Sequence, residues 1–139
     1  MTSQGRHVML TLGLLFEQAR EVVIGDPAIS LRPSQLRVVG MVPDEGITVT
    51  ELADRVGMTK QGIGQFIGQL VDDGYLTAEV HPEDRRIRVV RRTSLGQQAT
   101  RELERVLADL ETRWAQRIGV GSYREFRAVL DELAGLPPG

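Results

Sequence analysis

Residues 48–92 read TVTELADRVGMTKQGIGQFIGQLVDDGYLTAEVHPEDRRIRVVRR, and their spacing decides the fold. Val49–Gly57 has helical periodicity, with Leu52, Ala53 and Val56 facing inward, and Met58-Thr59 leaves room only for a short turn. From Lys60 to Asp73 the apolar residues fall at 63, 66, 67, 70 and 71. That is the i, i+3, i+4, i+7, i+8 pattern of a helix with one buried face. Thr48-x-x-Glu51 has the form of a capping box. Thr59 reads as the N-cap of the next helix, and Gly57 and Gly74 stand where the two helices end. Two short helices joined so tightly cross steeply and leave the second exposed. Such a pair can lay its second helix into the major groove of duplex DNA.

The residues after the second helix extend the same pattern. Tyr75–His81 and Arg86–Arg92 are strand-like, and the Pro82-Glu83-Asp84-Arg85 loop between them makes a β-hairpin with a polar tip, a wing. Arg85, Arg86, Arg88, Arg91 and Arg92 crowd residues 85–92 with no acid among them. Arginines on a projecting tip suit the negative potential of a narrow minor groove. Asp84 can hold one of them in a fixed orientation through paired hydrogen bonds. On the second helix, Lys60, Gln61, Gly62, Gln65 and Gln69 read as the exposed side. Glutamine can bond an adenine edge twice, and lysine can reach guanine or a phosphate. Glycines 62, 64 and 68 weaken that helix by roughly 1 kcal/mol each relative to alanine.

Outward from this core, residues 1–6 are polar and read as loose. His7 to about Ile24 is helical, and Leu10, Leu14 and Phe16 widen its apolar stripe beyond one face. A terminal helix of that kind wants cover on more than one side. Gly25-Asp26-Pro27 breaks it, and Pro33 opens a helix with Leu36, Val39 and Val42 inward. After the wing, Ser94-x-x-Gln97 reads as a capping box for a helix running to about Ile118. Its stripe is Leu95, Ala99, Leu103, Val106, Leu107, Leu110, Trp114 and Ile118. Ser122-x-x-Glu125 then caps a last helix expected to bury Phe126, Val129, Leu130 and Leu133. The long apolar helices at both ends call for a partner chain.

Composition narrows the function. At 139 residues with 41% apolar and 26% charged content, the chain reads as one ordinary globular unit. A net charge of −2 argues against indiscriminate polyanion binding, so a nucleic-acid face must come from local segregation of charge. With no cysteine, thiolate metal sites, thiol sensors and cysteine nucleophiles are excluded, which suits a cytoplasmic location. No apolar run spans a bilayer. Gly57-x4-Gly62 is followed by Ile63 instead of the lysine a phosphate loop needs. His7 and His81 have no ligand-spaced partners, so neither a metal, a cofactor nor an enzyme is expected.

An ordered series of motifs carries a family resemblance. Ala53, Gly57, Ile63 and Phe66 sit in helix-turn-helix register. Leu31-x-Pro33-x-Gln35, Glu51-Leu52-Ala53, Gly74-Tyr75-Leu76, Asp84-x-Arg86 and Thr93-x-x-Gly96 follow the order of the multiple-antibiotic-resistance regulator (MarR) family of winged-helix transcription factors, which the chain resembles over nearly its full length. The chain departs from that pattern at Arg32, where a threonine is common, and at Gln65, where many relatives carry arginine. The resemblance implies a mainly α fold with a small β-wing. Residues 1–30 would form an N-terminal dimerisation helix, 31–93 the winged helix-turn-helix, and 94–139 the C-terminal dimerisation helices. It further implies a homodimeric repressor on a pseudo-palindromic operator in double-stranded DNA, responsive to a small aromatic or phenolic effector whose pocket residues no motif assigns. Candidate DNA contacts are Ser34, Thr48, Thr59, Lys60, Gln61, Gln65, Arg85, Arg86 and Arg88, with Asp84 orienting the wing arginine. The rival reading is a winged-helix protein–protein module without DNA binding.

Overall fold

A computed structural model describes residues 6–139; apart from Arg6, the expectation of a loose start lies outside the described residues. The helices are α1 (Val8–Gly25), α2 (Pro33–Gly40), α3 (Val49–Val56), α4 (Lys60–Asp72), α5 (Ser94–Ile118) and α6 (Val120–Leu133). The strands are β1 (Ile47–Thr48), β2 (Leu76–Val80) and β3 (Arg88–Arg92), paired antiparallel in the order β1-β3-β2. The chain is thus mainly helical with a small wing sheet, as its pattern predicts.

The core gathers where α2, α3, α4 and the sheet meet. Leu36, Val39, Val42, Leu52, Ile63, Leu70, Leu76 and Val90 are all but fully buried there, and Val106 of α5 closes one side. Local chemistry sets the joints. The Thr48 hydroxyl accepts the Glu51 amide at 3.2 Å, the hydroxyl half of the expected box, and the Thr59 hydroxyl accepts from Gly62 at 3.0 Å. Gly57 (φ 77°) turns the chain from α3 into α4, and Gly74 (φ 87°) ends α4. At that end the Tyr75 amide reaches back to the Leu70 carbonyl at 2.8 Å and the Gly74 amide to Val71 at 3.0 Å, so a residue without Cβ is needed. Arg32, in the place of the usual threonine, leaves α2 capped from the other side: the buried Gln35 accepts the Arg32 amide at 3.0 Å.

Several sequence expectations are corrected. The cap of α5 is Thr93, not Ser94: its hydroxyl accepts from Gly96 at 3.1 Å while donating to the Gly74 carbonyl at 2.6 Å, which places Ser94 already inside the helix. Ser122 caps nothing. Helix α6 starts at Val120 directly after Gly119 (φ 94°), which offers no side-chain acceptor. The strands are shorter than expected because Glu83 turns its amide to the His81 ring and Arg86 turns its amide to Asp84, ending the ladder at Val80↔Arg88. Gly62 is half-buried, not exposed; a Cβ there would stand 3.0 Å from the Thr59 hydroxyl.

The terminal helices stand largely uncovered within one chain. No residue of α6 is buried: Phe126 and Leu130 are half-covered, Val129 is exposed, and Leu133 is 81% exposed. On α5, Leu95 and Ile118 are exposed and Trp114 is half-buried. Helix α1 buries only Val23, near its C-terminal end, leaving Met9 74% and Phe16 72% exposed. Within one chain nothing among the described residues stands opposite these faces. Polar contacts nonetheless hold the arm together: Arg127 bonds Glu111 at 2.8 Å, Tyr123 donates to the same carboxylate, and Arg105 ties Asp26 after α1 to Glu102 on α5.

Candidate nucleic-acid interface

The wing tip is built from its own backbone outward. Asp84 accepts the Arg86 amide at 3.0 Å, Arg86 Nε at 3.1 Å and Arg86 Nη2 at 3.2 Å. One carboxylate thereby fixes both the turn and the planar guanidinium above it, in a two-point grip that lysine could not match. The Arg86 guanidinium holds the Asp84 carboxyl below its usual value, first through the side-chain bonds and then through the amide. Arg86 is nevertheless 90% exposed on its side chain, so its remaining donors face solvent. Arg85 and Arg88 are exposed beside it.

Between this wing and helix α4 lies an open groove of about 440 Å³. Thr48, Lys60, Arg86 and Arg88, drawn from three separate parts of the sequence, meet on its lining. The α3 N-terminus supplies Thr48, the α4 N-terminus supplies Lys60, and the wing supplies both arginines. Gln61 and Gln65 are exposed on α4 outside the groove lining, where they can meet base edges. Thr59 and Ser34 are exposed at the starts of α4 and α2, and neither lines the groove. The hydroxyls of Thr48 and Thr59 are each engaged as caps, which leaves their donor protons and second lone pairs for other partners.

Two features of this surface lie outside the candidate contact residues. Gly64, one turn after Lys60, lines the groove, and no heavy atom lies within 4 Å of where its Cβ would be. The i, i+4 relation to Lys60 was the available signal. Arg92 belongs by sequence to the arginine cluster but not to this surface, as its side chain is only 15% exposed. Among the described residues no cluster of three or more potential metal ligands occurs, and no helix is long and apolar enough to cross a membrane.

Residues 30–87, from the approach to α2 through the wing tip, match the model of the MarR family. Over that stretch the chain is similar to the MarR family. A relative from Rhodobacter capsulatus, the HTH-type transcriptional regulator PetP, is 33% identical over 91 residues, 65% of this chain and 54% of PetP, so the match spans about half of that protein. Solved structures extend the likeness in fold to the flanking helices. One of MarR itself superposes with a TM-score of 0.82 at 19% identity, covering 97% of this chain and 93% of the other. The repressor CouR, bound to a 23-mer DNA duplex, gives 0.76 at 20% identity over 96% and 99%. PcaV of Streptomyces coelicolor, in complex with its natural ligand, gives 0.70 at 18% over 97% and 96%. At these identities the solved structures speak for the shared fold alone.

Proposed function

We propose that the chain is a cytoplasmic, sequence-specific DNA-binding transcription regulator of the MarR type, a repressor that acts as a homodimer on a pseudo-palindromic operator. The observation that carries this is the wing: an arginine gripped at two points along one edge by Asp84 yet 90% exposed, on the lining of the groove that also holds Lys60 and Arg88. A side chain already ordered by an intramolecular partner loses little further freedom when it enters a minor groove. Meanwhile α4 presents Lys60, Gln61 and Gln65 to the major groove. The uncovered apolar faces of α1 and α6 would pack against a second copy, whose winged helix then meets the other half of the operator. The relatives named above support this reading, one as a regulator and one as a DNA-bound repressor.

Ligand response belongs to the same proposal. A small cavity of about 60 Å³ lies between the α1–α2 connection, Tyr75 and the start of α5, with Ser30, Tyr75, Gln98 and Glu102 on its wall. It is smaller than the roughly 150 Å³ space known to hold benzene. An aromatic or phenolic effector would enter by prising the α1–α2 connection away from α5 and parting the 2.9 Å hydroxyl pair of Ser30 and Tyr75. Such a ligand would favour a state whose reading heads misfit the operator, lowering affinity by population shift.

The test is titration of the purified protein against its own upstream intergenic DNA at several salt concentrations, with Arg86→Ala alongside. Tight binding is expected for the wild type, weaker in the variant, with a salt slope reduced by about one. Equal, weak binding of both proteins to this and to random DNA would refute the local-operator reading and favour a protein partner for the winged helix.

A further inference from the structure

Arg92 is largely buried, while the other wing arginines are exposed. Two causes combine, the two-residue period of a strand and the place of Arg92 at the base of the wing. Val90 faces the core, so Arg92 shares that face and stands opposite the buried Leu76. Arg88 shares it too, but lies beyond the core toward the tip. At the base of the wing the Arg92 guanidinium reaches two other elements. Nη2 donates to Asp44 Oδ1 in the turn before β1 at 2.7 Å, and Nη1 donates to Thr100 Oγ1 on α5 at 3.3 Å. The Thr100 hydroxyl in turn donates to the Gly96 carbonyl at 3.1 Å, which settles its direction. The third edge of the fork is empty: Nε is buried without an acceptor among the described residues.

That combination is poorly suited to stability. A buried donor without a partner is unfavourable, and the ion pair is screened because Asp44 is 81% exposed. An aliphatic side chain at 92 would meet the same neighbours without a charge to desolvate. What the arginine does supply is geometry. Its rigid fork spans the sheet, the turn and α5, the helix that leads into the arm of the molecule.

We infer that Arg92 is a positioning residue that sets the angle between the wing domain and α5, and so fixes the separation and rotation of the two reading heads in the dimer. The inference rests on the DNA-binding, homodimeric reading proposed above. Arg92 acts through α5 and does not touch DNA.

The experiment uses the full chain. Duplexes are selected by the wild-type protein from a random-sequence pool, then remade with one base pair added or removed between half-sites, and as single half-sites. One base pair turns the far half-site by about 35° and moves it by about 3.4 Å. The wild type is expected to lose at least about tenfold in affinity on either altered spacing, comparable to a mismatched base pair. Arg92→Leu and Asp44→Ala are expected to lose less than about threefold, while keeping wild-type affinity for single half-sites. Unchanged spacing discrimination in both variants overturns the inference, as does a fall in half-site affinity that matches the fall on the full operator. If Arg92→Leu does not fold, Asp44→Ala, altered at an exposed residue, decides alone. Arg86→Ala separates the two readings, because loss of a direct contact lowers half-site and full-site binding together. A wild type that selects no duplex removes the DNA-binding reading, and the inference with it.

Discussion

Replacing glycines of two helices by alanine should move stability in opposite directions, and the structure says which way for each. Gly96 lies in the first turn of α5, buried, where an added Cβ would collide with the Tyr75 carbonyl oxygen, a backbone atom that cannot rotate away. To admit a methyl, α5 must lift from the sheet and strain the Thr93–Gly74, Thr93–Tyr75 and Gly96–Thr93 bonds. Overpacking of this kind costs about 1–3 kcal/mol and loss of a cap about 1 kcal/mol, against a gain near 1 kcal/mol for alanine over glycine in a helix. Gly96→Ala should therefore destabilise by about 1–3 kcal/mol. Gly64 and Gly68 have no heavy atom within 4 Å of the added Cβ and lie inside α4 without a left-handed φ. Each alanine there should stabilise by about 0.5–1 kcal/mol. Urea denaturation followed by circular dichroism, at one fixed protomer concentration because the chain is read as a dimer, measures both. A Gly96→Ala protein as stable as wild type, or a Gly64→Ala protein less stable, would refute the reasoning.

Other outcomes rest on the same structure. Phe16→Glu and Leu10→Glu alter residues exposed within one chain, so each chain should stay folded while sedimentation shows a shift to monomer; an unchanged mass would dismiss α1 as dimer surface. Asp84 is held below its ordinary value of 3.8 by Arg86, so its grip is fully present above that pH and lost only as the pH falls further. A carboxyl resonance of Asp84 titrating at or above its ordinary value would contradict the wing geometry. Burial first, and the bond to Glu111 second, push the Tyr123 hydroxyl up to about 12 from its ordinary 10.0. Because the protonated form is favoured in the folded state, its contribution is intact below pH 10 and fades as the pH rises through about 12. The phenolate absorbance missing from Tyr123→Phe identifies that step, and an ordinary midpoint would count against the α5–α6 contact.

How much of the fold and the interface is legible in sequence depends on how local the cause is. The turn at Gly57, the caps at Thr48 and Thr59, and the Asp84–Arg86 grip each involve residues within a few positions, and the spelling of the chain carries them. The start of α5 is easily misplaced by one residue because Thr93 and Ser94 are both good caps; the deciding contact, with the Gly74 carbonyl, lies 19 residues away. Five arginines in a row of eight look equivalent until strand alternation sends Arg92 inward, and the alternation is visible in sequence while the core beneath it is not. The groove could not be foreseen as a shape, since Thr48, Lys60 and Arg86 come together only through tertiary packing. The burial expected for Val129 and Leu133 follows a sound helical period, but periodicity tells which face is apolar without telling which chain covers it.

Helix α1 is anchored to its own chain near one end, at Val23. On the dimer reading, the cover of its remaining apolar face comes from a neighbour and is lost on dilution. Each newly made copy would then carry a sticky, half-dressed rod until it meets a second. Operator occupancy would rise with the square of the amount of protein at low abundance, giving a sharp threshold without any ligand. A defective copy that keeps α1 and α6 intact but lacks a working wing would tie up sound copies in useless pairs, so damage to one gene copy could silence another.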